Sequence, residues 1–143
     1  MKVKDVMKQK VIEINPTEPV SVAARTLTQY NIGILPVCRE NGRLCGVITD
    51  RDLVTRCVAA ERNPDTTPVK TVMTGQVISV SPETELSSAA TLMEMKQVKR
   101  LPVVEKGRVC GIMSLSDMKD VKENNVEVTD VIEGIWANVT DAN

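Results

Sequence analysis

Two four-residue strings carry the side chains best suited to hold a ligand: Thr49-Asp50-Arg51-Asp52 and Ser114-Leu115-Ser116-Asp117. Each sets a hydroxyl three residues ahead of a carboxylate, where a β-rich run gives way to a helical pattern. This is the spacing of a capping box, in which the two side chains bond free N–H groups of a first helical turn. The start of a helix also suits hydroxyl-rich or anionic ligands, through its unpaired N–H groups and its dipole. On pattern alone both readings stand. Nothing sets Asp52 beside Asp117 across one bond, so no acid–base couple and no catalytic residue is assigned. Lys99-Arg100, ahead of Leu101-Pro102, is either a solvated cation pair or a phosphate contact, because a guanidinium offers a fork to phosphate oxygens.

The strings recur because the chain repeats itself. Val3-Lys4-Asp5-Val6-Met7 returns 66 residues later as Val69-Lys70-Thr71-Val72-Met73. In the same register Val11-Ile12 meets Val77-Ile78, Pro16 meets Pro82, and Leu35-Pro36-Val37 meets Leu101-Pro102-Val103. Beyond the turn at Asn41-Gly42 the offset falls to 65, so that Cys45-Gly46 meets Cys110-Gly111 and Asp52 meets Asp117. The charge lining differs between copies. Ile34 stands where the second copy has Arg100, and Ser116 where the first has Arg51.

Each copy reads as one β-α-β-β-α unit, an α/β (α+β) class, and the two are expected to pack as a pseudo-two-fold module because neither buries much core alone. Apolar residues at Val20, Ala23, Ala24 and Leu27, and at Leu86, Ala89, Ala90 and Met93, follow helical spacing. Thr17 and Thr84 are the expected N-caps. The runs Val11–Ile14 and Val77–Val80 read as strands ahead of these helices, and a hairpin follows each, turning at Asn41-Gly42 and at 105–108. Pro36 and Pro102 remove a ladder donor and argue for an edge or bulge. Second helices are expected over 50–61 and 115–122. The divisions are 1–62, a polar linker 63–68, 69–122, and a tail 123–143. In the tail Val128, Val131, Ile132, Ile135 and Trp136 form a helical stripe, read as a capping helix, a dimer contact or a partner-docking helix.

Composition removes whole classes of function. The chain has 143 residues, 42% apolar and 26% charged, with a formal charge of −1. That balance gives no field for nucleic acid or an acidic membrane. The absence of His excludes a Ser-His-Asp triad, a Cys-His pair and any His-ligated metal. Tyr30 and Trp136 are the only aromatics, too few for base-stacking platforms. Cys38, Cys45, Cys57 and Cys110 form no C-x-x-C pair and read as free thiols, so no metal site is assigned. No run approaches the roughly 20 apolar residues of a membrane span, and the charged run Met1–Lys8 lacks a signal peptide's apolar stretch. A cytoplasmic location is expected.

Both repeats, over about residues 1–120, resemble the tandem CBS-domain family, named for cystathionine β-synthase. The resemblance rests on Ile34-Leu35-Pro36-Val37 through Gly46-Val47-Ile48-Thr49-Asp50-Arg51-Asp52-Leu53, and on Arg100-Leu101-Pro102-Val103-Val104 through Gly111-Ile112-Met113-Ser114-Leu115-Ser116-Asp117-Met118. It implies a non-catalytic regulatory module that binds an adenosine-containing ligand in clefts between the repeats: AMP, ADP, ATP, an NAD derivative or S-adenosylmethionine. It implies that Asp52 and Asp117 bond ribose hydroxyls, with Thr49 and Ser114 beside them. Arg100 and Arg51 become phosphate contacts. Backbone groups of Val11-Ile12, Leu35-Pro36, Val77-Ile78 and Leu101-Pro102 become the adenine contacts. A homodimer is also implied, for which the Ala-rich stripes and Leu53, Val54, Cys57 and Val58 offer surface. The alternative is a ligand-independent module for dimerisation, or for docking an unidentified protein partner, with vestigial clefts. Ile34 and Ser116 depart from the family's basic residues and imply weak phosphate discrimination in at least one cleft.

Overall fold

The computed structural model describes residues 1–119, so the tail 123–143 and residues 120–122 of the last expected helix lie outside the described residues. Packing divides the chain into two units. One combines Met1–Val11 with Ile78–Lys106 and the described residues 110–119; the other is Ile12–Val77 with Gly107–Val109. The repeat in sequence and the unit in space are therefore cut differently. Each unit is built on the helix and hairpin of one repeat and takes in the leading segment that stands first in the other.

In the unit built on the first repeat, α1 (Val20–Tyr30) packs against the hairpin of β1 (Ile34–Cys38) and β2 (Leu44–Thr49). Val20, Ala23, Leu27, Leu35, Val37 and Ile48 form its core, joined by Val69 and Val72 of the short helix α3 (Val69–Val72). The expected helix over 50–61 is instead a short α2 (Asp50–Leu53) that widens into a π turn over Val54–Val58 and ends at Glu61, whose φ is 58°. In the second repeat α4 (Leu86–Lys96), β3 (Arg100–Glu105), β4 (Arg108–Ser114) and α5 (Leu115–Lys119) follow the same order, and all but the first two residues of β4 belong to the second unit. There Leu86, Ala89, Met93, Leu101, Val103 and Met113 pack around Val3. The four thiols are free, and burial pushes that of Cys38 up to about 12, aided by a hydrogen bond with Glu13.

Three expectations are corrected. The runs 11–14 and 77–80 are not strands; each contributes one parallel bridge, Ile14 to Val37 and Val80 to Val103. Proline is the reason. Ile14 N–H donates to the Pro36 carbonyl at 3.0 Å and Cys38 N–H to the Ile14 carbonyl at 2.9 Å. Extending that ladder to Ile12 would need an N–H from Pro36, which has none. Pro102 stops the second ladder before Ile78 in the same way. The helices are not capped by Thr17 and Thr84 either, since Pro19 and Glu85 occupy the N-cap positions without side-chain bonds. Thr17 bonds Asn15 within its own loop, and Thr84 accepts from Ser81 N–H. Backbone carbonyls satisfy the helix starts instead: Thr67 and Pro64 accept from Val20 and Ser21, and Met1 from Leu86. Finally, Ala23, Ala89 and Ala90 are 0% exposed and offer no surface for a dimer, whereas Ala24 is half-buried and Val54 and Val58 are exposed.

The leading segment of the second-repeat unit carries an ionic cluster. Lys2 and Lys4 donate to Glu83 at 2.6 and 2.9 Å. Their hydrogen bonds, Lys2's first, hold the Glu83 carboxyl down at about 2. Because its folded value lies below its ordinary one, its contribution to stability is present above about pH 4.5 and is lost as pH falls toward 2. Glu83→Gln is expected to flatten that part of the stability–pH curve, followed by chemical denaturation at a series of pH values. Molar salt is expected to flatten it in wild type, since the partners are exposed.

Candidate ligand site

The antiparallel register sets Ile34 opposite Thr49 and Pro36 opposite Val47, so β1 begins where β2 hands over to α2. There Thr49 N–H donates to Asp52 Oδ2 at 3.0 Å and Asp52 N–H donates to Thr49 Oγ1 at 3.2 Å. In the second unit Ser114 N–H donates to Asp117 Oδ2 at 3.0 Å and Asp117 N–H to Ser114 Oγ at 3.1 Å. Both strings are therefore capping boxes. Capping occupies only one oxygen of each carboxylate. Oδ1 of Asp52 meets Arg56 at 3.6 Å and Oδ1 of Asp117 meets Lys8 at 3.5 Å, distances longer than a good hydrogen bond. Each aspartate side chain keeps 11% of its surface exposed.

The other candidates gather unevenly. Leu115 N–H donates to the Lys99 carbonyl at 2.8 Å, which brings the start of β3, and Arg100, beside the start of α5. The Arg51 and Arg100 side chains are exposed, and neither guanidinium has a partner among the described residues. Leu35 and Leu101 are 0% exposed and belong to the cores, so only main-chain atoms of these strands can meet a ligand. The Pro36 and Pro102 carbonyls already accept from Ile14 and Val80. Ile12 and Ile78 are different. The proline-broken ladders leave their N–H and carbonyl groups without a hydrogen bond among the described residues. Val11 groups with the unit of the second repeat and Val77 with that of the first, so neither joins the strands of its own repeat.

Two functional neighbours escape the sequence reading. Arg56 follows Asp52 by four residues, a helical ion-pair spacing that was there to be read. Its Nη1 also donates to the carbonyls of Val72 and Met73 at 3.1 Å and to Thr74 Oγ1 at 3.2 Å, tying the end of α3 in place. Lys8 carries no such signal, because its aligned residue in the other copy is Thr74.

The family model for the CBS domain matches residues 3–59 and 69–124. The chain belongs to the CBS domain family. Its fold, two CBS repeats of helix and antiparallel hairpin, is that of CBS domain pairs, which are regulatory modules. The CBS domain-containing protein YhcV of Bacillus subtilis is 38% identical over 116 residues, covering 81% of each chain. Hypoxic Response Protein I, solved with two coordinated zinc ions, superposes with a TM-score of 0.79 at 28% identity, covering 86% of this chain and all of that one. The CBS domain pair of protein MJ0100, solved with 5'-methylthioadenosine and S-adenosyl-L-methionine, superposes with a TM-score of 0.74 at 28% identity, covering 83% of this chain and 93% of that one. Among the described residues of this CBS pair no three Cys, Asp or Glu side chains stand close enough to share a metal. No described helix is long and apolar enough to cross a membrane.

Proposed function

We propose that this CBS pair is a cytoplasmic, non-catalytic regulator that binds an adenosine-containing small molecule, with Asp52 and Asp117 accepting from ribose hydroxyls. One observation carries the reading. In both units a capping box fixes the carboxylate through Oδ2 and leaves Oδ1 with only a long ion pair, to Arg56 or to Lys8. A pair of adjacent ribose hydroxyls donates at shorter range and displaces that cation. Thr49 and Ser114 hydroxyls flank the carboxylate, and the unpaired backbone of Ile12 and Ile78 supplies the donor and acceptor that an adenine edge requires. Arg51 and Arg100 take phosphate where the ligand has one. The adenosine compounds named for the MJ0100 pair support the ligand class.

Calorimetry with AMP, ATP, NAD and S-adenosylmethionine tests it. A hydrogen bond to a charged group contributes about 1.5–3 kcal/mol, so losing one carboxylate is expected to weaken its site about 10- to 100-fold. Asp52→Asn and Asp117→Asn keep a cap acceptor and separate lost binding from lost helix capping. No saturable heat with any of the four compounds, or unchanged binding by the Asp52→Ala/Asp117→Ala variant, overturns the assignment and leaves an assembly role. The proposal includes a homodimer through the exposed Val54 and Val58, which sedimentation equilibrium reads as a doubled mass.

A further inference from the structure

The unit built on the first repeat holds a cavity of about 680 Å³ that includes none of the ribose-site residues. Its walls are the loop Asn15-Pro16-Thr17, the hairpin turn Arg39-Glu40-Asn41, and Cys45, Lys70 and Met73. The volume lies within the range of small-molecule sites. The Asn15 amide oxygen already accepts from Thr17 N–H and Oγ1, and the Asn41 oxygen from Arg43 N–H. That leaves each amide with its NH₂ donors. Lys70 and Arg39 have no acidic partner among the described residues, and Glu40 is the single acid in the lining. Lys70, Arg39 and the two amides supply donors to the wall, and the Glu40 carboxylate and the Thr17 oxygen, whose proton goes to Asn15, supply acceptors.

The sister unit shows what such a wall lacks. Lys70 N–H donates to the Pro16 carbonyl at 2.9 Å, as Lys4 N–H does to the Pro82 carbonyl at 3.0 Å, so the two lysines hold equivalent places. Beside Lys4 stands Glu83, whose carboxylate takes both Lys2 and Lys4. The residue aligned with Glu83 is Thr17, and the residue aligned with Glu105 is Arg39. Glu83 is therefore replaced by a hydroxyl and Glu105 by a cation, while Glu40 stands where the second copy has Lys106. The second-repeat unit thus sets its own carboxylate beside Lys4, whereas Lys70 has no ion pair among the described residues and Pro68 stands in the place of Lys2.

We infer that this cavity binds a small oxyanion-bearing molecule, a phosphate ester or a carboxylate, whose oxygens take the place of the Glu83 carboxylate between Lys70 and Arg39. Met73 and Pro16 cover the apolar body of the ligand. The site is independent of the ribose aspartates, so either can exist without the other.

The test is an amide-resolved NMR titration of the full chain with inorganic phosphate in one arm and acetate in the other, at constant ionic strength. Saturable shifts at Thr17, Asn41 and Lys70 are expected in wild type, and the arm that saturates first names the oxyanion. Thr17→Glu/Arg39→Glu installs the sister unit's two carboxylates at exposed positions and is expected to weaken binding at least tenfold. Arg39→Ala/Lys70→Ala is expected to do the same without new charge pairs, and unchanged spectra elsewhere report an intact fold. Asp52→Ala is expected to leave these shifts unaltered. Absence of saturation in both arms, or equal saturation in wild type and both double variants, overturns the inference.

Discussion

A chain lacking residues 1–8 is expected to unfold the unit built on the second repeat while the unit built on the first keeps its hydrogen-exchange protection. Val3 is 0% exposed in the cluster of Leu86, Met93, Leu101 and Met113, and Met7 packs on its edge. The segment is also held by its main chain. Val3 and Lys4 N–H donate to the carbonyls of Thr84 and Pro82, Leu86 N–H donates to that of Met1, and Lys8 exchanges both bonds with Ile112 at 2.9 and 3.0 Å. Emptying the place of one buried valine costs about 2–3 kcal/mol, and the five backbone bonds contribute about 0.5–1.5 kcal/mol each. Together these approach the 5–15 kcal/mol that stabilises a typical domain. Hydrogen exchange read by mass spectrometry separates the possibilities. Peptides over 86–118 are expected to exchange and those over 20–53 to stay protected. The reverse pattern would show that the leading segment serves its own sequence repeat.

That exchange of segments marks where the sequence stops being legible. The duplication, the helix stripes, the hairpins and both capping boxes are local, and each is written in spacing: Thr49 with Asp52, Val20 with Ala23 and Leu27. Which copy a short segment packs against is not local. Val3 and Val69 open similar strings, Val-Lys-x-Val-Met, and only the distant partners Thr84 and Glu18, which accept from them, reveal the crossing. The lost caps have the same origin, because carbonyls from residues 64 and 67 do the work that a hydroxyl at Thr17 was expected to do. In the candidate site the capping pairs Thr49 with Asp52 and Ser114 with Asp117 are legible in their spacing, and the strand prolines carry a second consequence. A proline that only signals an edge also halts the ladder, and this leaves Ile12 and Ile78 unpaired. Lys8 was invisible because it reaches Asp117 across more than a hundred residues and has no counterpart in the other copy.

Gly46 and Gly111 are the positions where the smallest substitution is expected to matter most. Neither has a positive φ, so backbone freedom is not the reason they are glycine. Space is. A Cβ on Gly46 would lie 2.5 Å from Met73 Sδ and 2.9 Å from the Thr74 carbonyl oxygen; on Gly111 it would lie 2.7 Å from Met7 Sδ and 3.0 Å from the Lys8 oxygen. The thioethers can swing aside. The carbonyls cannot move freely, because Thr74 exchanges two backbone bonds with Val47 at 3.0 and 2.8 Å, and Lys8 does so with Ile112. Alanine in place of a strand glycine ordinarily stabilises by about 0.5–1 kcal/mol. Here the sign is expected to reverse, with a loss of about 1–3 kcal/mol for Gly46→Ala, somewhat less for Gly111→Ala, and more for valine at either position. Gly75 is the internal control: a Cβ there meets nothing within 4 Å, so Gly75→Ala is expected to leave stability near wild type. Urea denaturation midpoints decide it. A Gly46→Ala protein as stable as wild type would mean that the leading segment does not lie at backbone distance across β2, and the reason for an exchanged segment in either unit would go with it.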